Sequence, residues 1–235
     1  LSSYFVADQV YPSLFGKRVV FDYSQIRPKG AFISGGFKAP GPEPLMKAIN
    51  LIEHLIEAQF KSDSIVEIRP IVAYDIIMHA ADAVISGGVR RSACICLFSY
   101  DDTEMLNAKT GNWFDTNPQR GRSNNSAMLL RSEITREQFH DIMQPVKEFG
   151  EPGFIWVDSL EHTYNPCVEI GKLPKTVEGV SGWQGCSLCE INGGKLVSRE
   201  VFERAAKAAA IIGTLQAGYT NFKYQTEETI SIFER

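Results

Sequence analysis

The sequence contains no run approaching the ~18 consecutive apolar residues that a membrane-spanning helix needs. Its opening residues, Leu1-Ser2-Ser3-Tyr4, lack the basic region and apolar stretch of a secretory signal. Basic residues are not in excess either: 24 Lys and Arg stand against 28 Asp and Glu, a net charge of −4. That balance argues against a broad basic surface for nucleic-acid backbone, while leaving room for a small pocket holding one phosphorylated ligand. Cysteine is sparse, with five residues at irregular spacings. An odd, scattered set suits free or working thiols in a reducing compartment better than a disulfide scaffold, so the reading expects the cytoplasm and no membrane partner. The four histidines have no spacing that would complete a metal site with the cysteines.

What is present is ordinary globular composition, 44% hydrophobic and 22% charged, with 14 Phe and 8 Tyr to build a core. The chain starts at Leu1 and stops at Ile232-Phe233-Glu234-Arg235 within a helix-like pattern, so the reading expects a piece of a longer protein.

Residues 19–33 read as strand, turn, strand, followed by a Gly- and Pro-rich loop, Ser34-Gly35-Gly36-Phe37-Lys38-Ala39-Pro40-Gly41-Pro42. Leu45, Ile49, Ile52, Ile56 and Phe60 recur at helical spacing. So do Ile71, Tyr74, Met78, Ala81 and Val84, with Gly87-Gly88 as the expected stop. Residues 93–98 and 127–130 read as buried strands, with a polar connection between them, and 153–157 as another strand. Thr135 and Gln138 form a capping box for a helix carrying Phe139, Ile142, Met143 and Val146. A long loop spans 160–197, and Ser198 caps a final helix with a stripe of Phe202, Ala205, Ala209, Ile212 and Leu215. Strands alternating with helices predict an α/β architecture with mostly parallel strands, and residues 1–235 read as a single partial domain.

Cys94 and Cys96 lie two apart in a strand and read as small buried hydrophobes. Cys186 and Cys189 form a Cys-x-x-Cys, either half a zinc site or a dithiol pair. Within the long loop lies Asn165-Pro166-Cys167-Val168-Glu169-Ile170. On extended backbone Asn165, Cys167 and Glu169 would emerge on one face, grouping an amide, a thiol and a carboxylate; a turn with an incidental cysteine is the plain alternative. The Gly/Pro loop reads equally as a ligand-approaching loop or a connection into the next helix, and Arg90-Arg91 as a phosphate contact or as solvated surface charge.

Asn165-Pro166-Cys167-Val168-Glu169-Ile170 resembles the finger-loop motif of ribonucleotide reductase catalytic subunits. Gly185-Cys186-Ser187-Leu188-Cys189-Glu190-Ile191-Asn192 is similar to the family segment holding one redox cysteine. Gly87-Gly88-Val89-Arg90-Arg91-Ser92-Ala93 and Ser123-Asn124-Asn125-Ser126 also resemble family segments, in the same order. The style is most like the adenosylcobalamin-dependent ribonucleoside-triphosphate reductases.

The resemblance implies part of a ten-stranded α/β barrel of two parallel half-barrels with a central finger loop, this chain supplying the first half-barrel and the finger. It implies reduction of ribonucleotides to 2′-deoxyribonucleotides for DNA synthesis, with adenosylcobalamin as radical source and a thioredoxin-type or dithiol reductant. Cys167 would take the 3′-hydrogen, Glu169 act as general base, Asn165 orient the ribose, and Cys186 reduce the radical intermediate. The second redox cysteine would precede this chain. Gly35, Gly36, Phe37 and Lys38 would form the loop linking a nucleotide effector to the ribonucleotide substrate. A catalytic subunit served by a separate metal-radical subunit, and a non-catalytic nucleotide-binding fragment, are the alternatives.

Overall fold

A computed structural model describes residues 13, 19–33, 36–60, 67–86, 90–172, 175, 177–182, 186 and 188–218. Gly35, Gly87-Gly88-Val89 and the side chains of Arg90 and Arg91 lie outside the described residues. The chain divides into two compact units, Leu1–Asp158 and Ser159–Arg235.

In the first unit, helix α1 (Glu43–Glu57) begins at a Pro-Glu-Pro segment, with Glu43 in the first turn where negative charge meets the positive end of the helix. It buries Ala48, Ile52 and Ile56, one residue per turn. Helix α2 (Pro70–Asp82) opens on a proline whose missing N–H costs nothing at that position. It buries Ile71, Val72, Tyr74, Asp75, Ile76, Met78, His79 and Ala81, so it is covered on most of its circumference. It ends at Asp82, before the Gly87-Gly88 expected to stop it, because Ala83 and Val84 close the last turn onto the carbonyls of residues 79–81.

After a two-residue pairing of β1 (Ile85–Ser86) with β2 (Arg90–Arg91) come three longer strands. These are β3 (Cys94–Ser99), β4 (Ser123–Leu130) and β5 (Gly153–Val157), all parallel in the order β3-β4-β5. The α/β expectation with parallel strands is met in this sheet. The first crossover contains two single-turn helices, α3 (Thr103–Leu106), capped by the Asp102 side chain on the Met105 N–H at 3.0 Å, and α4 (Trp113–Thr116). A 3-10 turn at Pro118–Arg122 follows. The second crossover is α5 (Arg136–Phe149), where the capping box forms in both directions: Gln138 N–H to Thr135 Oγ1 at 3.2 Å and Thr135 N–H to Gln138 Oε1 at 2.9 Å. Gly150, at φ +73°, ends it.

The register decides which face of the sheet carries the core. Cys94, Cys96 and Phe98 align with Ser123, Asn125 and Ala127; Ala127 and Leu129 align with Phe154 and Trp156. Phe98, Ala127 and Leu129 join Ile52, Ile56, Tyr74, Met78 and Ile142 in one cluster, so α1, α2 and α5 pack around this single face. Phe139 of α5 meets Phe154 edge-on at 5.3 Å and Trp156 at 5.4 Å. Buried residues of the opposite face, Ser126, Met128 and Val157, stand outside that cluster.

Strand β4 begins four residues before the expected apolar stretch, and the reason is polar. The Tyr74 hydroxyl lies 2.8 Å from Ser123 Oγ and donates to Asn125 Oδ1 at 3.0 Å, which gives partners to two oxygens that hydropathy would place outside, while the buried Asn125 Nδ2 has none. Asp75 of α2 takes a two-pronged ion pair from Arg120, at 2.8 and 2.6 Å, and a third bond from Gln119 at 3.0 Å. Lys109, also buried, donates to the Ser123 carbonyl and to Glu151 at 3.0 Å. Residues 19–33 form no strands; Phe32 makes one isolated bridge.

In the second unit, the expected long loop contains a hairpin of β6 (Thr163–Tyr164) with β7 (Gly171–Lys172), antiparallel, and a 3-10 turn at Gly193–Lys195. Helix α6 (Arg199–Ala217) is capped by Ser198, whose hydroxyl accepts the Val201 N–H at 3.3 Å. Its expected stripe is there but Phe202, Ile212 and Leu215 are exposed. Among the described residues, no helix is long and apolar enough to cross a membrane.

Candidate functional site

The Asn-Pro-Cys-Val-Glu-Ile segment is the loop of the β6–β7 hairpin. Gly171 closes it: a Cβ there would collide with the Tyr164 ring, with Cδ1 at 2.8 Å, so glycine is what lets that ring lie over the facing strand. At the tip, the Val168 N–H donates to the Asn165 carbonyl at 2.9 Å, forming a turn in which Pro166 holds the position suited to its fixed φ. Val168 sits at φ +68°, the left-handed region that a β-branched residue seldom enters.

Asn165 is the clamp of this loop. Its Oδ1 accepts the Ile170 N–H at 3.0 Å, and its own N–H donates to the Ile170 carbonyl at 3.3 Å. Its remaining polar group, the amide nitrogen, donates to Cys186 Sγ at 3.6 Å. The thiol, carboxylate and amide expected on one face of extended backbone therefore meet by a different route. They converge because the chain turns, and Val168 in the left-handed region sets the direction of the turn.

Cys167 and Cys186 are both exposed free thiols. The Glu169 carboxylate beside Cys167 holds that thiol above its ordinary acid range, aided by partial desolvation and by Cys186 nearby. Asn165, Cys167, Glu169 and Cys186 thus form one group within the second unit. Chemically it offers a protonated thiol, a carboxylate able to take a proton, an amide fixed by the backbone, and a second thiol.

The other cysteines differ. Cys96 is half-buried against the core, and burial pushes its thiol up to about 11. That fits the reading of Cys94 and Cys96 as core residues of β3. Cys189 is half-buried, its sulfur 3.6 Å from where a Cβ on Gly213 of α6 would stand. Among the described residues no group of three or more His, Cys, Asp and Glu side chains is arranged to hold a metal ion.

The Gly/Pro loop belongs to the first unit and is a narrow tongue. Ala39 N–H donates to the Ala31 carbonyl at 2.7 Å and Ile33 N–H to the Phe37 carbonyl at 2.8 Å, and Phe32 bridges Lys38. Gly36 turns at φ +80°, with open space where a Cβ would go. Phe37 and Lys38 are exposed. Gly41, at φ +86°, leads into α1, and any side chain there would press on Glu43 and on Lys29 Cβ at 3.0 Å.

Sequence reasoning did not find the left-handed Val168, since nothing in valine's chemistry signals it. It also treated Ser123-Asn124-Asn125-Ser126 as one motif, whereas Ser123 and Asn125 turn to Tyr74. A buried polar pair on a strand facing a helix tyrosine has no periodic signature.

Comparison with known proteins returns reductases. The adenosylcobalamin-dependent ribonucleoside-triphosphate reductase of Lactobacillus acidophilus is 31% identical over 179 residues, covering 76% of this chain and 23% of that protein. The enzyme of the same name from Euglena gracilis is 27% identical over 208 residues, 82% of this chain and 27% of that protein. A probable counterpart from Dictyostelium discoideum is 28% identical over 189 residues, 73% of this chain and 23% of that protein. No family model and no solved structure matches. The chain spans about a quarter of the length of the curated relatives it matches. Over most of its own length, the chain resembles the adenosylcobalamin-dependent ribonucleoside-triphosphate reductases.

Proposed function

We propose that the protein containing this chain reduces ribonucleotides to 2′-deoxyribonucleotides by thiyl-radical chemistry, with Cys167 as the hydrogen-abstracting residue. The observation that carries the reading is the grouping of Asn165, Cys167, Glu169 and Cys186 around one hairpin tip. A ribose 2′-OH leaves poorly from an unactivated carbon, and a radical at the neighbouring 3′ carbon removes that obstacle. Sulfur suits the abstraction because S–H and ribose C–H bonds are comparable in strength, so the step is reversible.

In this reading Cys167 takes the 3′-hydrogen and later returns it. Glu169 accepts the 3′-OH proton while the Cys186 thiol protonates the departing 2′-OH, which leaves as water. Asn165, already held by Ile170, orients the sugar, and Cys186 supplies one of the two reducing equivalents, its partner thiol lying outside this chain. A thioredoxin-type or dithiol reductant then restores the thiols, and the product serves DNA synthesis in the cytoplasm. Gly35, Gly36, Phe37 and Lys38 form the loop that passes effector identity to substrate choice. The exposed backbone of the tongue supports that role, since glycine allows close approach to a nucleotide.

Adenosylcobalamin would supply the one-electron oxidising equivalent when bound. The fit lies at the thiol: Cys167 is exposed and carries a proton, as a target for a radical delivered from outside must. The residues of this chain then bind, orient and move protons.

Residues 1–235 are read as one partial domain, the first half of a ten-stranded barrel plus its finger. Support comes from the parallel sheet with its core cluster on one face, as a barrel wall requires, where an open doubly wound sheet would carry helices on both.

The test is reduction of a ribonucleoside triphosphate by the full-length protein with adenosylcobalamin and an anaerobic dithiol. Cys167→Ser should abolish product while nucleotide binding persists, because an O–H bond is too strong for the same exchange. Turnover by that variant would remove Cys167 from the mechanism. Activity only with an added metal-radical subunit would replace the cobalamin assignment.

A further inference from the structure

The two ends of the Asn165 side-chain amide are told apart by what they face. The Ile170 N–H can only donate, and it meets the amide at 3.0 Å, so the oxygen lies on that side. The NH2 end is thereby aimed at Cys186 Sγ, at 3.6 Å. Two backbone bonds hold the residue that carries it: Asn165 N–H to the Ile170 carbonyl at 3.3 Å, and Val168 N–H to the Asn165 carbonyl at 2.9 Å. Turning the amide over would set its NH2 against the Ile170 N–H, donor against donor.

An NH2 group only donates, so in this contact the sulfur is the acceptor. A thiol sulfur accepts weakly, whereas a thiolate carries a full charge, and hydrogen bonds to charged groups are about twice as strong as neutral ones. The contact therefore favours Cys186 without its proton over Cys186 with it. Among the described residues the donor on this sulfur is the Asn165 amide. The titratable group beside it is Cys167, with the Glu169 carboxylate acting on Cys167 in turn.

We propose, resting on the reductase reading of this site, that Asn165 is a positioning residue for Cys186: its amide, aimed by the Ile170 N–H, takes up the charge left on the sulfur when Cys186 gives up its proton. In that step the S–H bond breaks, the proton passes to the departing 2′-oxygen, and the electron pair stays on Sγ facing the amide donor. This role is distinct from orienting the sugar, because the contact is in place with no nucleotide bound.

The experiment is iodoacetamide alkylation of the full-length protein, without nucleotide, read at each cysteine by peptide mass spectrometry. It runs from about pH 6 to about pH 10, across the range of ordinary thiol ionisation. Each alkylation turns a thiolate into a thioether with loss of iodide, so its rate follows the thiolate. Asn165→Ala removes the donor without adding a charge. It should move the Cys186 profile to higher pH, by roughly half a unit to one unit for a donor lost from an exposed sulfur. Labelling at neutral pH should slow by roughly threefold for each unit, since a less acidic thiolate is also more nucleophilic. Cys189, packed against α6, should keep its profile. Asn165→Asp keeps an oxygen for the Ile170 N–H but puts a second oxygen on the sulfur. It should preserve hydrogen-exchange protection at Ile170 and move Cys186 further than Asn165→Ala does.

An unmoved Cys186 profile in Asn165→Ala overturns the role, even where Asn165→Asp moves it, because the added charge alone would then be the cause. Faster labelling of Cys186 with no movement in pH also overturns it, since Asn165 would then only hold the hairpin shut. The two readings fail separately. Loss of turnover in Cys167→Ser with no movement in Asn165→Ala keeps the reductase reading and removes the positioning role. Movement in Asn165→Ala with turnover surviving Cys167→Ser keeps the effect on the thiol and removes the radical step it would serve.

Discussion

The side-chain amide of Asn165 donates to the sulfur of Cys186, 21 residues further along the chain, at 3.6 Å. The same side chain closes the hairpin loop through the Ile170 N–H at 3.0 Å. One residue thus shapes the turn and ties the second thiol to it, and local backbone order and thiol placement depend on the same group.

Replacing Asn165 with Ala should therefore do two things together. The Ile170 amide loses its acceptor, a local loss of about 1 kcal/mol, and Cys186 loses its donor. Hydrogen exchange should quicken at Ile170 while the midpoint of global unfolding barely moves. Protection of Ile170 in the variant equal to that of the parent would contradict the clamp.

Val168 and Gly171 make opposite demands on their side chains. Val168→Gly relieves a left-handed β-branched residue, worth roughly 1–3 kcal/mol, against an entropic cost of about 0.5–1 kcal/mol for glycine. The variant should be as stable as the parent or more so. Gly171→Ala should instead destabilise the hairpin, because its Cβ meets the Tyr164 ring. Limited proteolysis between residues 163 and 172 reads both, and equal cleavage of the two variants would contradict the contrast.

The ion pair of Asp75 with Arg120 joins α2 to the turn before β4, with side-chain exposures of 8% and 13%. Removing one partner leaves a buried charge alone, so Arg120→Met should cost about 3–5 kcal/mol. Substituting both, as Asp75→Leu with Arg120→Met, should recover a substantial part of it. Urea midpoints for the single and double variants decide the matter, and a single variant as stable as the parent would sink it.

Alkaline pH should weaken the first unit through Cys96 and Tyr74. Burial raises both groups above their ordinary ranges, Cys96 from 9.0 to about 11. The folded state therefore keeps a proton that the unfolded chain gives up. The stability it brings is complete below about pH 9 and is lost as pH rises through about 11. Cys96→Ala should flatten the decline of the unfolding midpoint across that window, and an unchanged slope would remove Cys96 as a cause.

Much of the first unit was legible because its elements obey simple periods. Ile52 and Ile56 recur each turn, Thr135 and Gln138 cap reciprocally, and residues 153–157 form an apolar strand between turn signals. The start of β4 was not, since Ser123 and Asn125 are buried only because Tyr74 happens to meet them. At the site, the residue types of Asn165, Cys167, Glu169 and Cys186 stood out in the sequence, but their meeting did not.

The sequence by itself determined the α/β character, the capped helices α5 and α6, and the amide, thiol and carboxylate in the order Asn165, Cys167, Glu169. These depend on local spacing and on side-chain chemistry, which one dimension holds. Tertiary structure decided that the main core cluster lies on one face of the sheet, because only strand register puts Phe98, Ala127 and Leu129 on the same side. It also decided that Glu169 rests on Cys167 and Asn165 on Cys186, because a left-handed turn and a contact across 21 residues leave no trace in residue periodicity.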